Sequence, residues 1–417
     1  MAGGEPVNPV EIEGNPVEIE GITEPGFEPV RDAFAANFAL HKELGAAVCV
    51  YLRGKPVVDL WGGVAPGSDQ GIAHYGPGES APKYGQDTLQ LVFSTTKGMS
   101  ALCANILVDR GYIDLDAPIS DYWPELSAGR NSRAPVIWLL SHRLGLPTVD
   151  ARMTLEQALT WEPVVSALAD QEPFWEPGSA HGYHALTFGW LVGELVRRVT
   201  GRSIGELFRD EIAGPLDLDS WIGLPEELEH RVAPLLLAPL ELPKGLGSNQ
   251  IAELAQAFLG PGSLLMRSLT LNGAFGITPE DFPYNRQDVH GAQIPAANGI
   301  TDARSLAKMY AAVVGEVEGV RLVTPATAKR AATAVAAGSD RVLMVPTVFG
   351  AGFMCHCGFS PFLGSESFGH TGAGGSVGFG DLEAQVGFAY VMNQMRMSIS
   401  GDPRAANLVD ALRACLR

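Results

Sequence analysis

The chain has 417 residues, 46% of them hydrophobic and 18% charged, with a formal net charge of -18. Such a length exceeds what one core usually fills, so a large domain carrying an insertion is expected, and the apolar content excludes disorder as the main state. The negative charge argues against nucleic acid or an anionic membrane surface as partner and favours a neutral or apolar small molecule.

Residues 1–27 read as an acidic, extended arm built on a tandem repeat, NPVEIEG at 8–14 and again at 15–21. Two copies are too few to stack into a solenoid, so the arm is assigned no chemistry. From Glu28 to about Leu44, the spacing of Val30, Phe34 and Phe38 predicts a helix. AAVCVYL and PVVDLWGG then read as two strands joined by a turn at Arg53-Gly54-Lys55. TLQLVF (88–93) reads as a strand that breaks into Ser94-Thr95-Thr96-Lys97, after which GMSALCANILVDRG continues as an amphipathic helix to Gly111.

The stretch from about 112 to 296 reads as mainly helical, through APVIWLLSH, TLEQALTWEPVVSALAD and HALTFGWLVGELVRRVTG, the last closed by Gly201 as a C-cap. Residues 232–280 are rich in Leu, Pro and Gly without a single period, suiting a lid, a pocket wall or core. NGITDARSLAKMYAAVVG is a helix capped by Thr301 or Asp302. Strands follow in VFGAGFMCHCGF, ESFGHTG and GSVGFGDLEAQVGFAYVMNQM, and Asp402-Pro403 opens a last helix. The expected fold is therefore α+β: an antiparallel sheet formed from both chain ends (about 28–98 and 297–417), flanked by helices, with an inserted helical subdomain (about 99–296).

No run approaches ~18 consecutive apolar residues, and MAGGEPVNPVEIEG lacks the basic and apolar regions of a secretory signal. A cytoplasmic protein without membrane insertion is expected, its oligomeric state left open, a homo-oligomer included. The five cysteines, in mostly apolar surroundings, suit reduced thiols. In Cys355-His356-Cys357 strand alternation puts the cysteines on one face and the histidine on the other, so no metal and no cofactor is expected.

Ser-x-x-Lys occurs three times, at Ser94/Lys97, Ser80/Lys83 and Ser305/Lys308, in a chain with seven lysines. Ser80 and Lys83 sit among Pro and Gly that prevent a helical turn, and Ser305 lies well inside a helix whose N–H groups are already bonded. Only Ser94 follows a strand and starts a helix. There its N–H is a helix N-terminal donor that can stabilise developing negative charge, and Lys97 projects from the same face one turn later. A lysine drawn out of water loses its proton readily and can serve as base.

With its flanking residues, LVFSTTKG resembles the nucleophile motif of the serine beta-lactamase and penicillin-binding-protein superfamily, specifically the class C beta-lactamase-like family VIII carboxylesterases. LLSHRLGLP, WEPGSAHGYHALTFGWLVGELVRRVTG, NGITDARSLAKMY and FGHTGAGGSVGFGD follow in the family's order, and the resemblance spans about 28–415. It implies that Ser94 is the nucleophile, that Lys97 and Tyr183 move its proton, and that the N–H groups of Ser94 and Ala373 form an oxyanion hole. It further implies that His370, Thr371 and Gly372, standing for the family's Lys-Thr-Gly, bind substrate. Ala185 replaces an Asn and His370 replaces a cationic Lys, two departures that favour neutral esters over lactams.

Gly374-Gly375-Ser376-Val377-Gly378 also fits the Gly-x-Ser-x-Gly nucleophile elbow, but strands rather than a helix follow Ser376. His142 reads as structural, and His181 and His184 as lining the site without doing the chemistry. The expected activity is a serine carboxylesterase acting through an acyl-Ser94 intermediate. The alternatives are an acyltransferase using the same intermediate, a beta-lactam or D-amino-acid peptide hydrolase, and a non-catalytic acyl-binding protein.

Overall fold

The structure, a computed structural model, describes residues 10–12, 15–66, 81–127, 133–237, 260, 262–396 and 398–417. Ser80, and residues 238–259 and 261 of the Leu- and Pro-rich region, lie outside the described residues.

Nine antiparallel strands form the main sheet. In chain order they are β1 (Ile19–Thr23), β2 (Gly45–Leu52), β3 (Lys55–Gly63), then, after two strands of a smaller sheet, β4 (Leu89–Leu91) and β5 (Gly299–Thr301), the strands β6 (Ala336–Ser339), β7 (Pro346–Phe349), β8 (Met354–Cys355), β9 (Ser367–Thr371), β10 (Val377–Asp381) and β11 (Val386–Met392). The spatial order is β6-β7-β8-β9-β10-β11-β2-β3-β1, so the join between the two chain ends is the pairing of β11 with β2, in which Val386 faces Leu52 and Met392 faces Ala46. At the β2–β3 hairpin Arg53 and Gly54 have φ of 49° and 77°, the pair of positive values that a two-residue turn needs to match strand twist.

Strand β2 is buried almost throughout because helices cover both faces of the sheet. Ala47, Cys49 and Tyr51 join the core under helix α5 (Ala303–Val314), while Ala46, Val48 and Val50 join the core under α1 (Glu28–His41) and α6 (Pro403–Cys415). Phe34 and Phe38 of α1 meet edge to face, ring centres 5.4 Å apart, and each fully buried ring contributes roughly 1.5–3 kcal/mol. The acidic arm is not wholly apart from the domain. Ile19–Thr23, from the second repeat copy onward, pairs with β3 as the edge strand, and Val10–Ile12 pairs with Asn15–Val17.

Helix α2 (Thr96–Asp109) is buried over nearly its whole length and runs through the centre, while α3 (Thr187–Thr200) is the longest element of the helical part and ends on Gly201 at φ 72°. The remainder of the middle breaks into short helices, including Val136–Leu140, Leu155–Leu159, Glu162–Asp170 and α4 (Leu264–Thr270). Among the described residues, no helix is long and apolar enough to cross a membrane.

Asp302 caps α5 by accepting the Ser305 N–H at 2.6 Å, but burial raises its carboxyl to about 6. A raised carboxyl binds its proton more tightly in the folded chain, so stability is lost as pH rises through about 6. Asp302→Asn keeps a capping oxygen without the charge. Urea unfolding is therefore expected to find the variant more stable by about 3 kcal/mol at pH 7.5, a gap that closes by pH 4.

Candidate active site

Strand β4 stops at Leu91, short of the predicted Phe93, because Phe93 turns into the left-handed region at φ 45°. A non-glycine residue held there stores strain of order 1–3 kcal/mol, and the surroundings fix it: the Phe93 ring meets Tyr284 at 4.7 Å. A single 3-10 turn, Phe93–Thr95, then carries Ser94 into α2. Thr96 Oγ1 donates to the Phe93 carbonyl and accepts the Gly299 N–H at 2.8 Å, tying this turn to β5. Ser94 stays partly exposed while its neighbours on both sides are buried.

Lys97 is fully buried, and its Nζ lies 2.6 Å from the Ala185 carbonyl oxygen, 2.9 Å from that of Ala296 and 3.2 Å from Ser94 Oγ. Neither carbonyl can donate, so each must receive an N–H. Burial holds the Lys97 amine well below its usual range. A neutral amine spends two hydrogens on the two carbonyls and directs its lone pair to the Ser94 hydroxyl. Ala185 thus enters the site through its backbone, whatever its side chain lacks.

The Tyr183 ring lies beneath that amine, its centre 4.8 Å from Nζ. Burial pushes the phenol well up, and the adjacent Ser94 hydroxyl pulls it partly back; the Tyr183 hydroxyl has no fully formed hydrogen bond among the described residues. Phe349 stacks on the ring at 6.2 Å, His142 packs at 5.2 Å and His370 at 5.9 Å. His370 Nδ1 lies 2.7 Å from the Thr371 carbonyl, which keeps the proton on that nitrogen and leaves the buried Nε2 as an acceptor. Burial also holds the ring well below its ordinary range, so what His370 offers is an acceptor at Nε2.

The turn after β9 presents Ala373. The N–H groups of Gly372, Gly374 and Gly375 go to Ser376, Ser398 and Gly372 carbonyls at 2.7, 3.0 and 3.2 Å, while Ala373 N–H enters no backbone bond among the described residues. The last of these bonds closes a β-turn with Gly374 at φ 90°. Because the peptide is trans, Ala373 N–H points opposite to the Gly372 carbonyl and therefore out of the turn. A Cβ on Gly372 would lie 2.2 Å from the Val92 carbonyl oxygen, so only glycine lets this turn touch the nucleophile turn. Thr371 is nearly buried and donates to the Ile399 carbonyl at 3.3 Å.

Behind the turn lies Arg404, fully buried. Its guanidinium donates to Gly374 O (2.7 Å), Gln394 O (2.9 Å), Glu43 Oε1 (2.9 Å) and both Asp402 oxygens (3.0 and 2.8 Å), which uses all five of its N–H groups. The Tyr390 hydroxyl donates to the other Glu43 oxygen.

The decoys take structural places. Ser376 is buried and donates to the Val92 carbonyl at 2.8 Å, clamping the nucleophile turn. Ser305 stands in the first turn of α5 rather than well inside it, with its N–H taken by Asp302 and its Oγ accepting the Asp219 N–H, while Lys308 pairs with Glu318 and Lys83 with Glu18. His142 Nδ1 accepts the His184 N–H, and His184 bridges Leu146 N–H and Gly182 O with its ring pushed down to about 3 by burial. Cys355 donates to the Ala332 carbonyl and Cys357 meets Ser360 Oγ. Two residues at the site left no motif in the sequence. Ser268 Oγ bridges the Tyr183 carbonyl and the Ala185 N–H, and Asp340 accepts the Tyr183 N–H.

A fold of this topology with a Ser-x-x-Lys pair whose lysine is buried defines a class, and the family model for Beta-lactamase matches residues 30–412. The chain belongs to the Beta-lactamase family and is a serine hydrolase. It is 36% identical over 390 residues, 90% of this chain and 83% of the relative, to Esterase/beta-lactamase LipL of Mycobacterium tuberculosis (strain ATCC 25618 / H37Rv). Among solved structures it resembles a family VIII carboxylesterase, 36% identical with a TM-score of 0.83 over 95% of this chain and 100% of the other. It also resembles EstA of Arthrobacter nitroguajacolicus Rue61a, 32% identical with a TM-score of 0.81 over 95% and 98%.

Proposed function

We propose that the protein is a serine carboxylesterase that hydrolyses small or medium neutral esters through an acyl-Ser94 intermediate. The observation that carries this reading is the Lys97 amine, buried and saturated by two carbonyls so that its remaining direction faces Ser94 Oγ. In this reading the sheet part, about 28–98 with 297–417, supplies Ser94, Lys97 and the Ala373 turn, and the helical part supplies Tyr183. Lys97 takes the Ser94 proton as Oγ bonds to the ester carbonyl carbon, and the N–H groups of Ser94 and Ala373 hold the resulting oxyanion. Tyr183, kept protonated by burial, gives its proton to the leaving alkoxide and recovers one from Lys97. Water then attacks acyl-Ser94, passing its proton back through the same pair, and the acid leaves with Ser94 restored.

Neutral substrates fit a site whose histidines are uncharged and which offers no cation in place of the family's lysine. LipL carries esterase in its name and the 36% identical solved structure carboxylesterase, which supports the same reading. A rapid quench with p-nitrophenyl acetate tests it. Mass spectrometry should find an acetyl group on the Ser94 peptide, none in Ser94→Ala, and acetate as the product even with competing alcohol present. Acetylation at Ser376, or turnover without Ser94, would reject the assignment.

A further inference from the structure

Tyr183 sits in a stretch, 180–184, without regular secondary structure, so no helix or strand ladder fixes where its phenol lies. Its backbone groups still need partners, and they find them on other segments. The carbonyl takes the Ser268 hydroxyl at 3.2 Å, and the N–H goes to Asp340 Oδ1 at 3.0 Å. The same Asp340 oxygen accepts Val342 N–H and Leu343 N–H, both at 2.8 Å, and its other oxygen receives the Thr347 hydroxyl at 3.3 Å. Asp340 is buried and pairs with no Lys, Arg or His among the described residues. A carboxylate placed this way costs desolvation, and the convergence of three N–H groups on one oxygen is what a full negative charge can hold.

Asp340 stands at the tip of the hairpin between β6 and β7, at the far edge of the main sheet. From that hairpin Phe349 also stacks on the Tyr183 ring, Arg341 N–H bonds the His181 carbonyl at 3.0 Å, and Thr347 Oγ1 meets His181 Nε2 at 2.9 Å. One edge hairpin of the sheet thus grips both the main chain and the ring of a residue that belongs to the helical part, while Ser94 comes from the 3-10 turn Phe93–Thr95 and Lys97 from the first turn of α2.

We infer that Asp340 is a positioning residue for Tyr183: its carboxylate sets the register of the 181–183 segment and so places the phenol against Ser94 and Lys97. This inference rests on the reading of Tyr183 as the proton partner. Loss of the carboxylate frees the Tyr183 N–H and the hairpin tip together, and a displacement of about 1 Å at a reacting group costs on the order of 10²-fold in rate.

The test is a double-mutant cycle on a short-chain p-nitrophenyl ester, with kcat and KM measured for Asp340→Ala, Asp340→Asn, Tyr183→Phe and the two doubles. Asp340→Ala should lower kcat about 10²-fold with KM little changed, and Asp340→Asn, which keeps one acceptor oxygen, should recover most of it. In the Tyr183→Phe background the Asp340 substitutions should cost less than about threefold, because the group they place has gone. Equal losses in both backgrounds would overturn the inference and leave Asp340 a stability residue only. Where Asp340→Ala does not fold, the same comparison made with Asp340→Leu, close in size to aspartate but without an acceptor, decides: a loss confined to the Tyr183 background supports the inference and an equal loss in both overturns it. Full activity in Tyr183→Phe would instead overturn the proton-partner reading, whereas an inactive Tyr183→Phe beside a fully active Asp340→Ala would sink only the role of Asp340.

Discussion

Lys97→Met and Lys97→Arg are each expected to lower kcat/KM for esters on the order of 10³-fold, the range for losing a positioned base. Methionine removes the lone pair that faces Ser94 Oγ. Arginine keeps the positive charge but never gives up its proton, so it separates a base from a mere electrostatic anchor. Steady-state kinetics across pH supply the second readout. In the proposed mechanism Lys97 acts only when neutral, and burial holds it well below its usual range, so wild-type activity should fall as acid protonates the amine. Circular dichroism will show that the variants are folded. If Lys97→Arg kept activity within tenfold of wild type, a proton-accepting lysine would be untenable.

Arg404→Met is expected to destabilise the protein by about 3–5 kcal/mol, because it strands two buried carboxylates that the one guanidinium now bonds. Burial already pushes the Glu43 carboxyl up against the opposing pull of Arg404, so without the guanidinium it is pushed up further. The double variant Glu43→Gln/Arg404→Met should therefore recover part of the loss. The Gly374 carbonyl also loses an anchor, and activity should fall even at temperatures where the variant is folded. Urea midpoints and initial rates at 10 °C measure the two effects, and an unchanged midpoint would mean that the network carries no net stability.

The parts of the molecule that were legible are those whose local chemistry and tertiary role agree. Arg53-Gly54 makes the hairpin, Gly201 ends α3, and Asp302 and Asp402 cap their helices, each by a short-range rule that no distant contact overrides. The family and the α+β fold followed from ordered motifs, which the structure assembles around one buried lysine. Asp340 and Ser268 stayed hidden because they act on backbone groups of a distant segment, and a backbone N–H imposes no residue type on its partner's neighbours. Ala185 was read through its missing amide, whereas its contribution is a carbonyl that every residue carries. Strand β1 was masked by Glu20, a charge that an edge strand tolerates and that there discourages further pairing.

The pairing of β11 with β2 also governs how the protein is made. Synthesis delivers the β2–β3 hairpin long before β11, so in the interval β2 offers an open edge of apolar strand with its helical covers, α5 and α6, still missing. An exposed apolar edge is a template for pairing with other chains. The nascent hairpin is thus the aggregation-prone stage of this chain's life, and it ends only when β11 and α6 have been made and close over it.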